Sequence, residues 1–274
     1  MLMNLLYVVK RLFRRQIPDR WAFVLLRLFG GSNSAETTPD EGWAELKRRL
    51  DRVGIDTAGR HVVEVGSGRY ARLGLQMLRS GVARVTLIDP YAVDVNDREH
   101  RSVLMDDCAR LGLGWDDVAS RLRVLTGDVT SLPVPSLEAR PDLVVSSAVL
   151  EHTLDPLQVL AACWEWLKPG GQTSHTIDLR DHVFESPFEM LTFSDKIWKR
   201  WLCPKRGFYL NRWRLPEYSS AMKEAGFINR GCEILERDEA ALREIMPRLN
   251  EQFRNMDPDT LSVLGLHVYG EKPV

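Results

Sequence analysis

The run His61-Val-Val-Glu64-Val-Gly66-Ser-Gly68-Arg-Tyr70 limits what this chain can fold into more than any other ten residues. Its apolar-rich start reads as a buried strand. An acid follows, then a Gly-x-Gly turn, then a helical pattern from Ala71. Strand, glycine turn and helix in that order suit a nucleotide-like ligand. The glycines let the backbone bend sharply and approach it, and a helix start offers free N–H groups. The acid narrows the choice. A phosphate site does not favour a carboxylate two residues before its first glycine, whereas a ligand with a cationic amino-acid end does. That points to S-adenosylmethionine rather than a dinucleotide.

Four further strand-like runs follow. Val85-Thr-Leu-Ile-Asp89-Pro90 ends in an acid 23 residues past Gly66, where doubly wound α/β folds grip a ribose diol. Leu122-Arg-Val-Leu-Thr-Gly127-Asp128-Val129 also ends in an acid, placed to meet an adenine amino group. Pro141-Asp142-Leu-Val-Val-Ser146-Ser147 precedes Glu151-His152. Leu167-Lys-Pro-Gly170-Gly171 stops a helix before a fifth strand near 173–178. Helices are expected near 38–53, 71–80, 97–112 and 155–168, the last opened by Asp155-Pro156. Strands alternating with helices imply a parallel sheet covered on both faces. After the fifth strand the alternation breaks. Helices near 215–225 and 238–251 and strands near 227–236 and 261–269 complete the pattern.

Together these motifs resemble the class I S-adenosylmethionine-dependent methyltransferases, from about His61 to Asp178 and more weakly to the end. The resemblance implies an α/β fold with a doubly wound, Rossmann-like seven-stranded sheet, mostly parallel, its last strand antiparallel. It places Glu64, Gly66 and Gly68 at the methionine end of the cofactor and Asp89, followed by Pro90, at the ribose. Asp128 and Val129 fall at the adenine, and Ser146 at a backbone contact near the sulfonium. Tyr70 stands where many members carry a third glycine. The loop also fits the Gly-x-Gly-x-x-Ala dinucleotide fingerprint, so a nicotinamide-dependent oxidoreductase is the rival reading. Glu64, Glu151-His152 and the Lys-Pro-Gly-Gly turn speak against it. A non-catalytic scaffold on the same fold is a second rival.

The expected organisation is an N-terminal helical cap over 1–54 and a cofactor-binding domain over 55–274, with a substrate lid inserted at about 181–214. That insert interleaves aromatics such as Trp201 and Tyr209 with basic residues such as Arg212. It follows the fifth strand, at the carboxyl edge where open α/β sheets bind ligands. Arg180, Trp201, Tyr209 and Arg212 are the expected acceptor contacts, the arginines suiting an acidic group. The competing reading pairs those arginines with nearby acids such as Glu185 and Glu189. Interleaved basic and aromatic residues also suit single-stranded nucleic acid, but a net charge of −1 argues against it.

Methyl transfer to an alcohol needs a proton removed, and an imidazole is the usual base. His182 is the first candidate and His152 the second, with Asp178 or Asp181 to orient the ring. His61, His100, His175 and His267 read as structural or exposed. The expected acceptor is a small molecule, a sugar or natural-product intermediate, because His-x-Ile-Asp178-Leu-x-Asp181-His182 and Tyr209-Leu-Asn211-Arg212 resemble bacterial enzymes of that kind. N- or C-methylation without a base is the alternative. Some methyltransferases hold a divalent ion through Glu-x-x-Glu-His. Here Ala148 replaces the first carboxylate, and no metal is expected.

Four widely spaced cysteines, Cys108, Cys163, Cys203 and Cys232, show no zinc spacing and suit a reducing cytoplasm. No stretch reaches the roughly 18 apolar residues of a membrane span. Residues 1–30 carry six basic residues against one acid. Read as two short amphipathic helices split near Pro18, they suit an anionic membrane surface, a cover over the site, or packing on a second copy in a homodimer.

Overall fold

A computed structural model describes residues 5, 7–12, 39–68, 71–92, 97–182, 186–203 and 209–274. Seven strands build one sheet: β1 (His61–Val65), β2 (Arg84–Asp89), β3 (Leu122–Thr126), β4 (Leu143–Ser147), β5 (Gln172–Asp178), β6 (Ile228–Arg237) and β7 (Val263–Glu271). Their order is β3-β2-β1-β4-β5-β7-β6. β7 runs antiparallel to both of its neighbours, and the other pairings are parallel. The expected seven-stranded, mostly parallel sheet is therefore present.

The central strands β1, β2 and β4 are buried on both faces, which is why they read as near-continuous apolar runs, while the edge strands β3 and β6 are partly or fully exposed. Val62, Leu143 and Val145 face one core with α1 (Pro39–Arg52), α2 (Arg72–Arg79), α3 (Arg98–Arg110) and α4 (Trp115–Arg121). Val63, Val65 and Val144 face the other with α5 (Pro156–Trp166) and α6 (Leu215–Glu224). The caps follow the sequence signals. Asp97 accepts from Glu99 N and His100 N, and Asp155 accepts from Gln158 N at 3.2 Å.

A third core lies beyond the sheet. Tyr7 packs there with Phe188, Trp198, Leu202 and Leu210 of the insert and with Leu242 and Ile245 of α7 (Glu239–Ile245). Much of the insert's aromatic content therefore fills a core instead of facing a ligand. The helix expected over 238–251 stops early. It tightens into a 3-10 turn, Met246–Arg248, at Pro247, whose missing N–H cannot continue an α-helix. The Gly30-to-Ala35 run, read as a flexible joint, the turn at Pro18, and Thr38, read as the cap of the 38–53 helix, lie outside the described residues, as does Tyr70. Among the described residues no helix is long and apolar enough to cross a membrane.

Candidate active site

The strand order reverses between β1 and β4, and the carboxyl ends of those strands open a crevice where ligands of such sheets bind. The loop after β1 and the loop after β4 meet at its floor. Gly66 has φ +79°, and a Cβ there would lie 2.1 Å from Val149 Cγ2, so both the backbone and the contact demand glycine. Gly68, at φ +70°, has open space on its Cβ side. Its N–H donates to Asp89 Oδ2 at 2.9 Å, and Tyr91 N donates to Asp89 Oδ1 at 2.7 Å. The acid at the end of β2 thus fixes the glycine turn after β1. Ala148 sits at φ +52° at the exit of β4, a strained conformation for a residue with a side chain, of the kind that gathers at functional sites.

Glu64 is buried beneath this turn. Burial, and then the charge of Asp89, push its carboxyl up to about 8. A carboxyl so placed gains an ion pair when a cation enters, which fits the amino-acid end of S-adenosylmethionine. Pro90 is exposed just beyond Asp89. Asp128 is exposed after β3, its Oδ1 accepting from Thr130 N and Oγ1, and Val129 is buried beside it. Ser146 lies inside the sheet, its Oγ 2.8 Å from His175 Nδ1, so its side chain belongs to the sheet. Ser147, one residue on, is the exposed end of β4.

A second group of side chains gathers at the ends of β4 and β5. Glu151 and His152 lie on a 3-10 turn, Leu150–His152, directly after β4. Asp178 ends β5, and His182 follows four residues later. His182 Nε2 lies 3.5 Å from Asp178 Oδ2, and the His152 and His182 rings meet edge to face at 5.0 Å. His152 Nδ1 lies 2.8 Å from the Tyr209 carbonyl. Glu151 Oε1 accepts from Asp178 N at 3.3 Å, while Oε2 is buried without a hydrogen-bond partner. Burial pushes the Glu151 carboxyl up to about 8. Asp178 moves the other way. Burial would raise it, but the His182 imidazole, the Arg180 N–H and the Arg180 charge outweigh that and hold it well below the usual carboxylate range.

Asp181 does not share this role. Its carboxylate turns to the N-terminal helix, accepting from Tyr7 Oη at 2.5 Å and Arg11 Nη2 at 2.9 Å. Arg212 is buried within the insert. It donates to the carbonyls of Met190 and Phe193 and pairs with Asp195, so its guanidinium anchors the insert's own backbone. Arg180 pairs with Asp178 at 3.0 Å and with Glu236, and Glu185 lies outside the described residues. Glu189 is taken by Arg248. Trp201 is 53% exposed on the outer side of the insert, and Tyr209 contributes its carbonyl to His152. Sequence reasoning missed Tyr7 and Arg11. Their partner lies 170 or more residues away, and no local pattern announces such a pair.

A family model described as a methyltransferase domain matches residues 14–230. The chain belongs to this methyltransferase family, and S-adenosylmethionine is its cofactor. Solved structures agree on the fold. The Haemonchus contortus phosphoethanolamine N-methyltransferase 2, in complex with phosphomonomethylethanolamine and S-adenosylhomocysteine, is 19% identical with a TM-score of 0.56. That match covers 96% of this chain and 60% of the other. A proposed sarcosine dimethylglycine methyltransferase from Galdieria sulphuraria is 16% identical over 93% of this chain and 98% of its own, with a TM-score of 0.54. An S-adenosylmethionine-dependent methyltransferase from Mesorhizobium loti is 14% identical over 86% and 98%, at 0.50. No curated protein sequence matches the chain.

Proposed function

We propose that this enzyme methylates a hydroxyl of a small-molecule acceptor, a sugar or natural-product intermediate, with His182 as the base. The observation that carries the reading is the Asp178–His182 contact beside the exit of β4, next to the crevice. When bound, S-adenosylmethionine supplies a methyl group on a sulfonium, already a good leaving group. The chain's residues do the rest. Glu64 and the Gly66–Gly68 turn hold the amino-acid end, Asp89 the ribose, and Asp128 with Val129 the adenine. Asp178 accepts the Nε2 proton of His182, which leaves Nδ1 as the lone-pair nitrogen that takes the hydroxyl proton. The ionised Asp178 then stabilises the imidazolium. Arg180 stands beside Asp178 as the charge for an acidic group on the acceptor.

If Asp89 holds the ribose, Asp89→Ala weakens S-adenosylhomocysteine binding by about 1–3 kcal/mol, the scale of lost charge-assisted hydrogen bonds. The same aspartate also fixes Gly68, so the loss falls at the upper end. Calorimetry reads it directly, and wild-type affinity in the variant would remove Asp89 from the cofactor site.

One observation favours a second reading, in which a divalent ion replaces the free base. Glu151, His152 and His182 each offer a ligand atom within 4.8 Å of the others. The third ligand that Ala148 cannot give comes instead from the His182 imidazole, beyond the end of β5. Two imidazoles and one carboxylate suit Zn²⁺ better than octahedral Mg²⁺. Dialysis of the full chain against Zn²⁺ followed by elemental analysis separates the two. Stoichiometric zinc lost in Glu151→Gln supports the ion. Zinc-free protein with undiminished turnover after chelation supports the base.

A further inference from the structure

The N-terminal helical segment, residues 7–12, meets the rest of the chain next to the candidate base. Both oxygens of Asp181 are engaged by it, Oδ2 by Tyr7 Oη and Oδ1 by Arg11 Nη2. Arg11 Nε donates in turn to Tyr7 Oη at 3.0 Å, closing a triangle of three side chains. All three residues are buried, Tyr7 and Arg11 completely. The Arg11 guanidinium also lies 4.6 Å from the Trp198 ring centroid, and the Tyr7 ring stacks on Phe193 at 5.4 Å. The segment is thus locked to the insert and to Asp181 at once.

A buried ion pair of this kind is weak evidence for net stability, since desolvation offsets much of its attraction. Its geometric effect is stronger. Asp181 N donates to the Pro187 carbonyl at 2.9 Å, and Leu179 N to the Leu264 carbonyl at 2.8 Å, so the backbone leaving β5 is pinned on both sides. The Asp181 side chain is the remaining handle, and His182 is the next residue. Its ring must reach back four residues to meet Asp178.

We propose that Tyr7 and Arg11 are positioning residues for the transfer step: by clamping Asp181 they set the turn that delivers the His182 imidazole to Asp178. This rests on His182 being the base. It gives the N-terminal segment a task inside the enzyme, one that the basic charge of residues 1–30 does not reveal. Arg11 spends its charge on Asp181 and faces the protein interior.

The test follows the His182 imidazole itself by NMR in the full-length chain, comparing wild type with Arg11→Met, Arg11→Lys, Tyr7→Phe and Asp178→Asn. His182→Ala assigns the signal. The groups around this ring are Asp178 and Arg180 at the end of β5, Asp181 beside it, and Glu151 and His152 across from it. S-adenosylhomocysteine affinity, read by calorimetry, reports whether each variant keeps the cofactor site. The expected result is that Arg11→Met displaces the His182 ring signal in the same direction as Asp178→Asn. Arg11→Lys restores it, and cofactor affinity stays within about twofold, as for separate sites. A wild-type His182 signal in Arg11→Met that still binds S-adenosylhomocysteine overturns the proposal. If Arg11→Met loses cofactor binding, Tyr7→Phe decides, because it removes one hydroxyl and no volume: a displaced signal supports the clamp and an unmoved one overturns it. Turnover of His182→Ala is scored separately. Wild-type turnover there sinks the base reading, while the imidazole signal still judges the clamp.

Discussion

Replacing His182 by alanine is expected to lower kcat by about 10²–10⁴-fold, the usual range for a lost general base, with S-adenosylhomocysteine affinity nearly intact. The asymmetry follows from position. His182 sits beyond the end of β5, whereas the residues assigned to the cofactor sit at the ends of β1, β2 and β3. Only a neutral imidazole accepts a proton, so the wild-type rate should fall on acidification and this limb should vanish in the variant. Asp178→Asn should lower kcat too, because an amide oxygen no longer stabilises the imidazolium. Near-wild-type turnover in His182→Ala would pass the role to His152, whose ring lies 5.0 Å away. Near-wild-type turnover in the double variant would mean that no imidazole base operates. The acceptor atom would then be an amine, carboxylate or activated carbon, with the protein contributing alignment.

The second large effect is a proton linkage at Glu64. Burial, with the Asp89 charge adding to it, pushes this carboxyl up to about 8. A cation bound against it requires the ionised form. Below pH 8, binding of S-adenosylhomocysteine should therefore release up to about one proton, and affinity should rise by up to about 50-fold between pH 6 and pH 8. Calorimetry in two buffers of different ionisation heat counts the proton. Glu64→Gln should abolish the release and most of the pH dependence. The sign for stability is the reverse. Glu64 and Glu151 both titrate higher in the fold than in the unfolded chain. Their stabilising contribution is complete below the unfolded value, near 4.5, and is lost as pH rises through about 8. The ligand-free Tm should fall across that window. S-adenosylhomocysteine should raise Tm more at pH 8 than at pH 6. A pH-independent ligand shift would detach Glu64 from the cofactor.

The sheet was legible because each strand carries its own local evidence. His61–Val65 and Leu143–Ser147 are short, β-branched and buried on both faces, and acids or glycines mark their ends. Asp155 marked a helix start by a mechanism that operates within three residues. What escaped has equally physical causes. α4 has no side-chain cap at Gly114 and buries only Val118, so its sequence WDDVASR shows no apolar stripe. Arg212 looked like a ligand contact, yet the insert needed a buried donor for two carbonyls, and a long guanidinium serves that need. The choice between Asp178 and Asp181 could not be made from spacing, since both flank His182. It was decided by Tyr7 and Arg11, which reach Asp181 from the other end of the chain. Glu64, Gly66, Gly68 and Asp89 could be grouped from sequence because adjacent parallel strands bring their ends together.

One arrangement underlies the proposed chemistry: a cofactor lying across the ends of β1 to β4, its reactive end opening toward Glu151, His152, Asp178 and His182. A crystal structure with S-adenosylhomocysteine measures it most directly. The predicted result has the amino-acid end over the Gly66–Gly68 turn above Glu64, the ribose on Asp89, and the sulfur facing His182. Sulfur directed away from His182, or a ribose far from Asp89, would contradict this arrangement.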